Sequence, residues 1–345
     1  MENFLDYLKN NQKSFKEVSF NEVDSLVLAY LSYLHFPSTK IKLKDLDIIK
    51  TTKVRKNKEF IKKVTESRRY KDIELCFFVE DTNDLIEKQF SAITFLLPDN
   101  TMYISFRGTD STLTGWKEDF NMAFILPVPS QKEALNYTEK ITRLIPRKFY
   151  LGGHSKGGNL AVYAGCNLNS NLENRILKIY SHDGPGFLKE FLTTSNYHNI
   201  KNKIEKIIPS SSIIGMLLYT NESYKVIKST ASGILEHDPF SWIVNNNGFV
   251  TLKKLTDGTI YTNKVINDFI SSLSKKEREI FIESLFTVLR STNLTTLEEI
   301  SKNFIIKIPN ILIAIYKLDD VNKKYILKTI KALIKSCIIN LKELI

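Results

Sequence analysis

Residues Gly153-His154-Ser155-Lys156-Gly157 form a G-x-S-x-G pattern. With 13 glycines and 28 serines in 345 positions, chance produces it about 0.04 times. The surroundings say more than the letters. Apolar Phe149-Tyr150-Leu151 precedes the pattern, and Asn159-Leu160-Ala161-Val162-Tyr163-Ala164 follows it. A strand, a tight turn and a helix form the setting in which a serine hydroxyl is held out as a nucleophile. Such a turn is strained, and small residues on both sides let backbone segments pass closely around it. Gly158 leaves room for the helix to pack on a neighbouring strand. A glycine-rich strand-to-helix turn without chemistry would share these letters.

A serine hydroxyl is a weak nucleophile and needs a base that is itself oriented by an acid. In this setting the chain order is serine, acid, histidine. Three histidines follow Ser155: His182, His198 and His237. His237 opens His237-Asp238-Pro239-Phe240-Ser241-Trp242, after a strand-like Tyr224–Lys228 and a loop containing Gly233, which is where the base belongs. Pro239 suits the first position of a short helix. His182 ends an earlier strand and is the rival, whereas His198 lies in a polar, Asn-containing loop. The natural acid is Asp183, in Ser181-His182-Asp183-Gly184-Pro185-Gly186-Phe187; the next strand ends in Pro209-Ser210-Ser211-Ser212, without a carboxylate. Asp183 would fix the imidazole tautomer, or it merely opens the Asp-Gly-Pro-Gly turn and caps the next helix. Asp238, adjacent to His237, would point away on an extended chain.

Acyl chemistry also needs two donors for a developing oxyanion. The backbone N–H of Lys156, next after the nucleophile, is one. Thr109 supplies the other, by its N–H with help from its hydroxyl, if Ile104-Ser105-Phe106-Arg107-Gly108-Thr109 is a strand running into the oxyanion loop. An ordinary strand end with Thr109 in a turn is the plainer alternative.

The elements that must hold these residues can be read from periodicity. Residues 1–34 read as helical up to Pro37. Apolar runs at 75–79, 91–97 and 102–106 read as strands, the last two joined through Pro98-Asp99-Asn100 as a hairpin. Helices are expected at 115–125, 131–144, 156–168 and near 187–194. Strands are expected at 148–151, 176–181, 203–208 and 224–228. Strands alternating with helices predict crossover units, a mostly parallel central sheet flanked by helices, and an α/β class. Glycine is absent after Gly258 and helical spacing dominates to Ile345. The expected organisation is a helical, basic N-terminal segment packed on the core (1–72), an α/β core (73–261) and an all-helical C-terminal extension (262–345). In the extension, Phe304, Ile305, Ile308, Ile311 and Leu312, and again Leu333, Ile334, Ile338 and Leu341, have amphipathic spacing. Packing on the core is the default reading there; a lid, an oligomer contact or a membrane-surface helix are the others.

These motifs together resemble a known family. Ser105-Phe106-Arg107-Gly108-Thr109 followed by Trp116 and Asp119 is similar to the oxyanion loop of class 3 lipases, and Gly152 to Ala161 is similar to their nucleophile elbow. The His-Ser-Lys-Gly-Gly-Asn-Leu-Ala run, Asp183-Gly184-Pro185-Gly186-Phe187 and His237-Asp238-Pro239-Phe240-Ser241-Trp242 more closely resemble the Mbeg-like family of bacterial lipase-like hydrolases. The resemblance spans about residues 18–250. It implies an α/β-hydrolase fold, a Ser155–Asp183–His237 triad, and Thr109 and Lys156 as oxyanion donors. The chain departs from class 3 lipases where their acid follows the later strand, since serines stand there in this sequence.

Composition bounds the rest. The chain is 43% hydrophobic and 25% charged, an ordinary globular balance that excludes collagen-like and low-complexity classes. Cys76, Cys166 and Cys337 are too dispersed for a disulfide framework or a spaced zinc site. No metal or organic cofactor is required. The net charge is +11, and residues 40–71 hold 13 Lys/Arg against four acids, a net of +9. That segment is either a solvated surface or a contact for anionic membrane or an acidic protein. Only Phe60 and Tyr70 interrupt its charges, so no nucleic-acid stacking platform is expected. The first residues lack a basic n-region followed by an apolar run, and no stretch of 18 apolar residues occurs. The expectation is a cytoplasmic protein, with peripheral membrane contact at most.

The function these readings imply is a serine hydrolase cleaving a small-molecule or lipid-like acyl ester through an acyl-enzyme. Apolar Met122–Pro127 and Ile213–Leu218 would line an acyl site or simply pack in the core. A thioesterase, amidase or peptidase with the same triad, and a catalytically silent module docking through its basic surface, are the alternatives.

Overall fold

The computed structural model describes residues 2–37, 39–110, 112–245, 248–290, 320 and 323–325. The chain begins with β1 (Glu2–Asn3), α1 (Phe4–Asn10) and α2 (Glu22–Leu31). The single helix expected over 1–34 is therefore two. Asn3 and Asn21 each accept hydrogen bonds from the first turn, and Asp6 and Asp24 bond back to the cap amides. Two capping boxes 18 residues apart start two helices. The basic stretch then forms β2 (Ile41–Lys42), α3 (Ile48–Thr51) and α4 (Arg55–Glu66).

Next come β3 (Glu74–Asn83), β4 (Lys88–Leu96), β5 (Met102–Phe106), α5 (Leu113–Asn121) and α6 (Pro129–Leu144). The crossover region follows with β6 (Phe149–His154), α7 (Lys156–Asn167), α8 (Ser170–Glu173), β7 (Ile176–His182), α9 (Lys189–Leu192), α10 (Ser195–Ile200), β8 (Ile204–Pro209) and β9 (Tyr224–Ile227). The described chain closes with β10 (Ile243–Asn245), β11 (Gly248–Phe249), β12 (Thr251–Leu252), α11 (Asp257–Ser272) and α12 (Lys275–Arg290).

Nine strands make one mixed sheet in the order β12-β9-β8-β7-β6-β5-β4-β3-β2. The pairs from β5 through β9 are parallel; β2 to β5 and the β9–β12 pair are antiparallel. A small second sheet joins β1, β10 and β11. Side chains alternate across the main sheet as the pleat requires. Tyr103, Tyr180, Ile207 and Ile227 face a core shared with α1, α2 and α4. Met102, Ile104, Phe106, Leu151 and Ile179 face one shared with α6, α7, α9 and α10. The result is a three-layer α/β-hydrolase-like fold in which every parallel strand ends toward the same edge of the molecule. The amphipathic stretches at 304–312 and 333–341 lie outside the described residues. No described helix is long and apolar enough to cross a membrane.

Candidate active site

Ser155 sits between β6 and α7 with φ +58° and ψ −133°, a conformation costly for any residue with a Cβ. The turn survives because its surroundings fix it. Ser155 N–H donates to the His182 carbonyl at 2.9 Å, and Gly158 N–H returns to the Ser155 carbonyl at 2.9 Å. A Cβ on Gly157 would lie 2.1 Å from the Phe106 carbonyl oxygen, so only glycine lets α7 start against the end of β5. The Lys156 N–H is the first of α7 and has no intrahelical acceptor, at the positive end of the helix dipole.

Asp183 follows β7 at φ +49° and is buried. Its Oδ2 lies 2.6 Å from His237 Nδ1. Its Oδ1 accepts from the Ser212 hydroxyl and from the Gly215 N–H at 3.2 Å. A hydroxyl from the loop after β8 thus grips Asp183. His237 ends a 3₁₀ turn, Gly233–His237, and Pro239 opens another, Pro239–Ser241. The ring is about a quarter exposed. With Nδ1 committed to Asp183, Nε2 is the nitrogen left for chemistry. The structure brings Asp183 and His237 together; it records no hydrogen bond between the Ser155 hydroxyl and the His237 ring.

The rival His182 takes no part. It is fully buried, with Nε2 2.9 Å from the Ser25 hydroxyl, and burial pushes its pKa down to about 3. His154, by contrast, has a role the sequence did not reveal. Its ring lies against His237 with centroids 4.5 Å apart and planes tilted by 34°, and its Nε2 donates to the His237 carbonyl at 2.9 Å. Its Nδ1 accepts from Tyr33 Oη at 3.0 Å. Burial, then the neighbouring imidazoles of His237 and His182, hold His154 well below the ordinary histidine range, so it stays neutral. A residue just after α2 thereby steadies the loop that carries His237.

Thr109 follows β5, as expected. The loop after β5 runs close to the β6–α7 turn: a Cβ on Gly108 would lie 3.0 Å from Ser155 Cβ and 2.6 Å from the His154 carbonyl oxygen. The Thr109 hydroxyl donates to Asp119, which leaves the N–H as the remaining donor of Thr109. Asp119 in turn lies 3.7 Å from Lys156 Nζ. The Lys156 side chain is buried and runs beneath the loop, donating to Gln89 O and Oε1 at 2.9 Å each and to Glu118 at 3.1 Å. Glu118 also accepts from the Gln89 and Ser130 amides at 2.9 and 2.8 Å. Burial pushes Asp119 up to about 6, against the pull of Lys156 and Thr109. One ammonium so ties the elbow, β4 and α5 into a single unit. Sequence spacing could not show this, because the Lys156 partners Gln89 and Glu118 lie 67 and 38 residues away in the chain.

Met122 and Leu218 are buried together with Val128, and Ile270 of α11 packs against them. Those apolar segments therefore serve packing at these positions. A cavity of about 320 Å³ lined by Tyr224, Lys225, Leu252 and Ile260 opens at the other end of β9 from the His237 loop. Among the described residues no cluster of His, Cys, Asp or Glu side chains could hold a metal ion.

No curated protein matches the chain. Among solved structures it is similar to Rhizomucor miehei lipase in a propeptide complex, with TM-score 0.36 and 17% identity over 46% of this chain and 58% of that one. It is also similar to M37 lipase (0.39, 16%, 57% and 70%) and to a fungal lipase in an inhibitor complex (0.34, 18%, 45% and 66%). The chain thus spans less than two thirds of the Rhizomucor lipase structure. The Mbeg1-like family profile matches residues 64–287, a stretch that runs from the end of α4 to α12 and contains the elbow, Asp183 and His237. The match covers more than half of the sequence, and the chain belongs to the Mbeg1-like family.

Proposed function

We propose that this protein is a serine hydrolase that cleaves a lipid-like carboxylic ester through an acyl-enzyme. The observation that carries this reading is the 2.6 Å contact between Asp183 Oδ2 and His237 Nδ1, beside a serine held at positive φ on a strand-to-helix turn. In the proposed reaction the Ser155 oxygen attacks the ester carbonyl carbon while His237 Nε2 takes the hydroxyl proton. The Lys156 and Thr109 amides stabilise the oxyanion. The imidazolium then protonates the leaving alkoxide, and the acyl-enzyme remains. A water molecule deprotonated by His237 repeats the attack and releases the carboxylic acid and Ser155. Asp183 holds the ring in the tautomer that leaves Nε2 basic.

The lipid-like substrate class is supported by the class 3 lipase pattern of Ser105–Thr109 with Trp116 and Asp119. A fluorophosphonate probe tests the nucleophile. The expected outcome is labelling of the wild type and none of Ser155→Ala, followed by turnover within a panel of acyl esters of graded chain length. A folded wild type that resists the probe, with and without lipid vesicles, or one that labels but cleaves only amides or thioesters, would overturn this reading.

A further inference from the structure

We infer that the end of the molecule carrying Ser155, Asp183 and His237 is a docking face for a bilayer rich in anionic lipid. Its purpose rests on the hydrolase reading above, although binding is measurable without it. The argument begins with topology. Strands β5 to β9 are parallel, so the segments after Phe106, His154, His182, Pro209 and Ile227 all emerge at one end. β4 runs antiparallel to β5 with Ala92 opposite Phe106, so residues 88–91 continue past that end and the β3–β4 turn projects beyond it. At its tip, Leu85 is 94% exposed and Ile86 52%.

The β9–β10 connection leaves the same end. Just before His237 it presents Ile234 and Leu235, 56% and 68% exposed. The start of α4 lies against this connection: Lys56 Nζ is 2.7 Å from Asp238 Oδ2 and 3.6 Å from the centre of the Phe240 ring. Val54, immediately before α4, is 57% exposed. Large aliphatic side chains thus stand in water at three separate points around one end. A packed core does not require that placement, and an apolar surface would accept it.

Charge supplies the second half. The carboxylates at this end are mostly paired: Glu80 with Arg107, Asp81 with Lys88, Glu87 with Lys117 and Asp238 with Lys56. Lys53, Arg55 and Lys58 are exposed and have no ion pair among the described residues. Helix α4 opens on Arg55-Lys56-Asn57-Lys58, with no acidic residue in its first turn and no side-chain cap from Val54. Cations at the positive end of a helix repel its dipole, so folding gains nothing from this order. An anionic surface compensates both, since each Lys or Arg near it adds to the attraction. The buried face of α4, with Phe60, Ile61 and Val64, is occupied by the core, so its basic face is the one left outward. Aliphatic side chains interspersed with cations match an apolar interior behind anionic headgroups. An acidic protein or nucleic acid would use the cations and leave the leucines in water.

Flotation of the full-length chain tests the proposal, with vesicles of pure phosphatidylcholine and of equal phosphatidylcholine and phosphatidylglycerol. Two variants accompany it, Lys53→Glu/Arg55→Glu/Lys58→Glu and Val54→Asp/Leu85→Asp, each checked for an unchanged melting curve. The wild type is expected to float with the anionic vesicles and not with the neutral ones. Each variant should partition at least about tenfold more weakly. Hydrolysis of a water-soluble short-chain ester should be unchanged in both, because none of these residues touches the triad. A wild type that ignores anionic vesicles, equal binding to both compositions, or variants that float like the wild type would overturn the docking face. Capture of polyanions with no vesicle binding would overturn it in favour of a soluble acidic partner. Docking without ester turnover would leave the face standing and remove the hydrolase.

Discussion

Asp183 has no freedom to turn. One carboxylate oxygen meets His237 Nδ1 at 2.6 Å, and the other is held by Ser212 and the Gly215 amide. Asp183→Asn keeps the shape but presents an amide to one of these donors, so His237 loses its enforced tautomer. The expected outcome is a fall in kcat of about 10³–10⁴-fold with KM nearly unchanged, measured on a soluble ester. Ser212→Ala should cost far less, because Gly215 N–H still holds the carboxylate. Residue types and order were enough to nominate Ser155, Asp183 and His237 as candidates, and the structure brings Asp183 and His237 together. They were not enough for Ser212, whose bond crosses 29 residues between two strand ends, nor for the tilted contact of His154 with His237. Such contacts depend on strand register, which the sequence does not display.

Helix α5 is gripped on two sides. From within, Glu118 meets Lys156; from without, Lys117 meets Glu87 at 2.5 Å and Glu283 of α12 at 2.7 Å. Arg278 donates to the Ala123 carbonyl just beyond α5 at 2.6 Å, and the Phe120 and Phe286 rings meet edge to face at 5.6 Å. The Lys156–Glu118 pair is fully buried. Glu118→Gln removes the carboxylate nearer the Lys156 ammonium and leaves Asp119 at 3.7 Å, an expected cost of about 3 kcal/mol in chemical denaturation, the low end for a broken buried pair. Adding Lys156→Met should recover only part of that loss, since it removes the buried ammonium but also the cation facing Asp119. Periodicity found the long helices and the central strands, while its errors lie at edges. Helix α11 starts at Asp257 under a Thr256 cap, five residues ahead of the expected boundary at 262. Strands β1, β2, β11 and β12 have two residues each, too few for alternation to register.

For the molecule as a whole, pH acts through its buried histidines. His154 and His182 stay neutral in the fold and titrate near 6.5 once unfolded. Below that value the unfolded chain binds protons that the folded one refuses. Their stabilisation is therefore complete above about pH 6.5 and lost as pH falls, by about 1.4 kcal/mol per pH unit for each. Asp119, raised to about 6, acts in the opposite sense: its buried charge is relieved as pH falls from about 6 toward 4. Two histidines outweigh one aspartate, so Tm should drop steadily from pH 7 to pH 5. In His182→Asn, which keeps a polar group beside Ser25, that drop should shrink to about a quarter, because Asp119 offsets most of the one histidine left. A flat wild-type profile across this range would contradict the assignment. The three-layer architecture itself was legible, because alternating strands and helices permit few arrangements. The face on which the N-terminal helices settle was not. That depends on long-range partners such as the buried Arg69–Asp24 pair and the Ser25–His182 contact.

The Ser25–His182 contact also carries a consequence in time. Helix α2 buries Val23, Leu26, Val27 and Leu31 against strands made much later, and its bond to His182 spans 157 residues. At about 5–20 residues per second of synthesis, the helix waits about 8–30 s for that partner to emerge. Throughout that interval the apolar stripe of α2 has only the earlier members of its cluster, such as Phe4 and Phe60, to pack on. A nascent chain of this protein thus keeps the sheet-facing side of α2 open to water well before Ser155, Asp183 or His237 has been made.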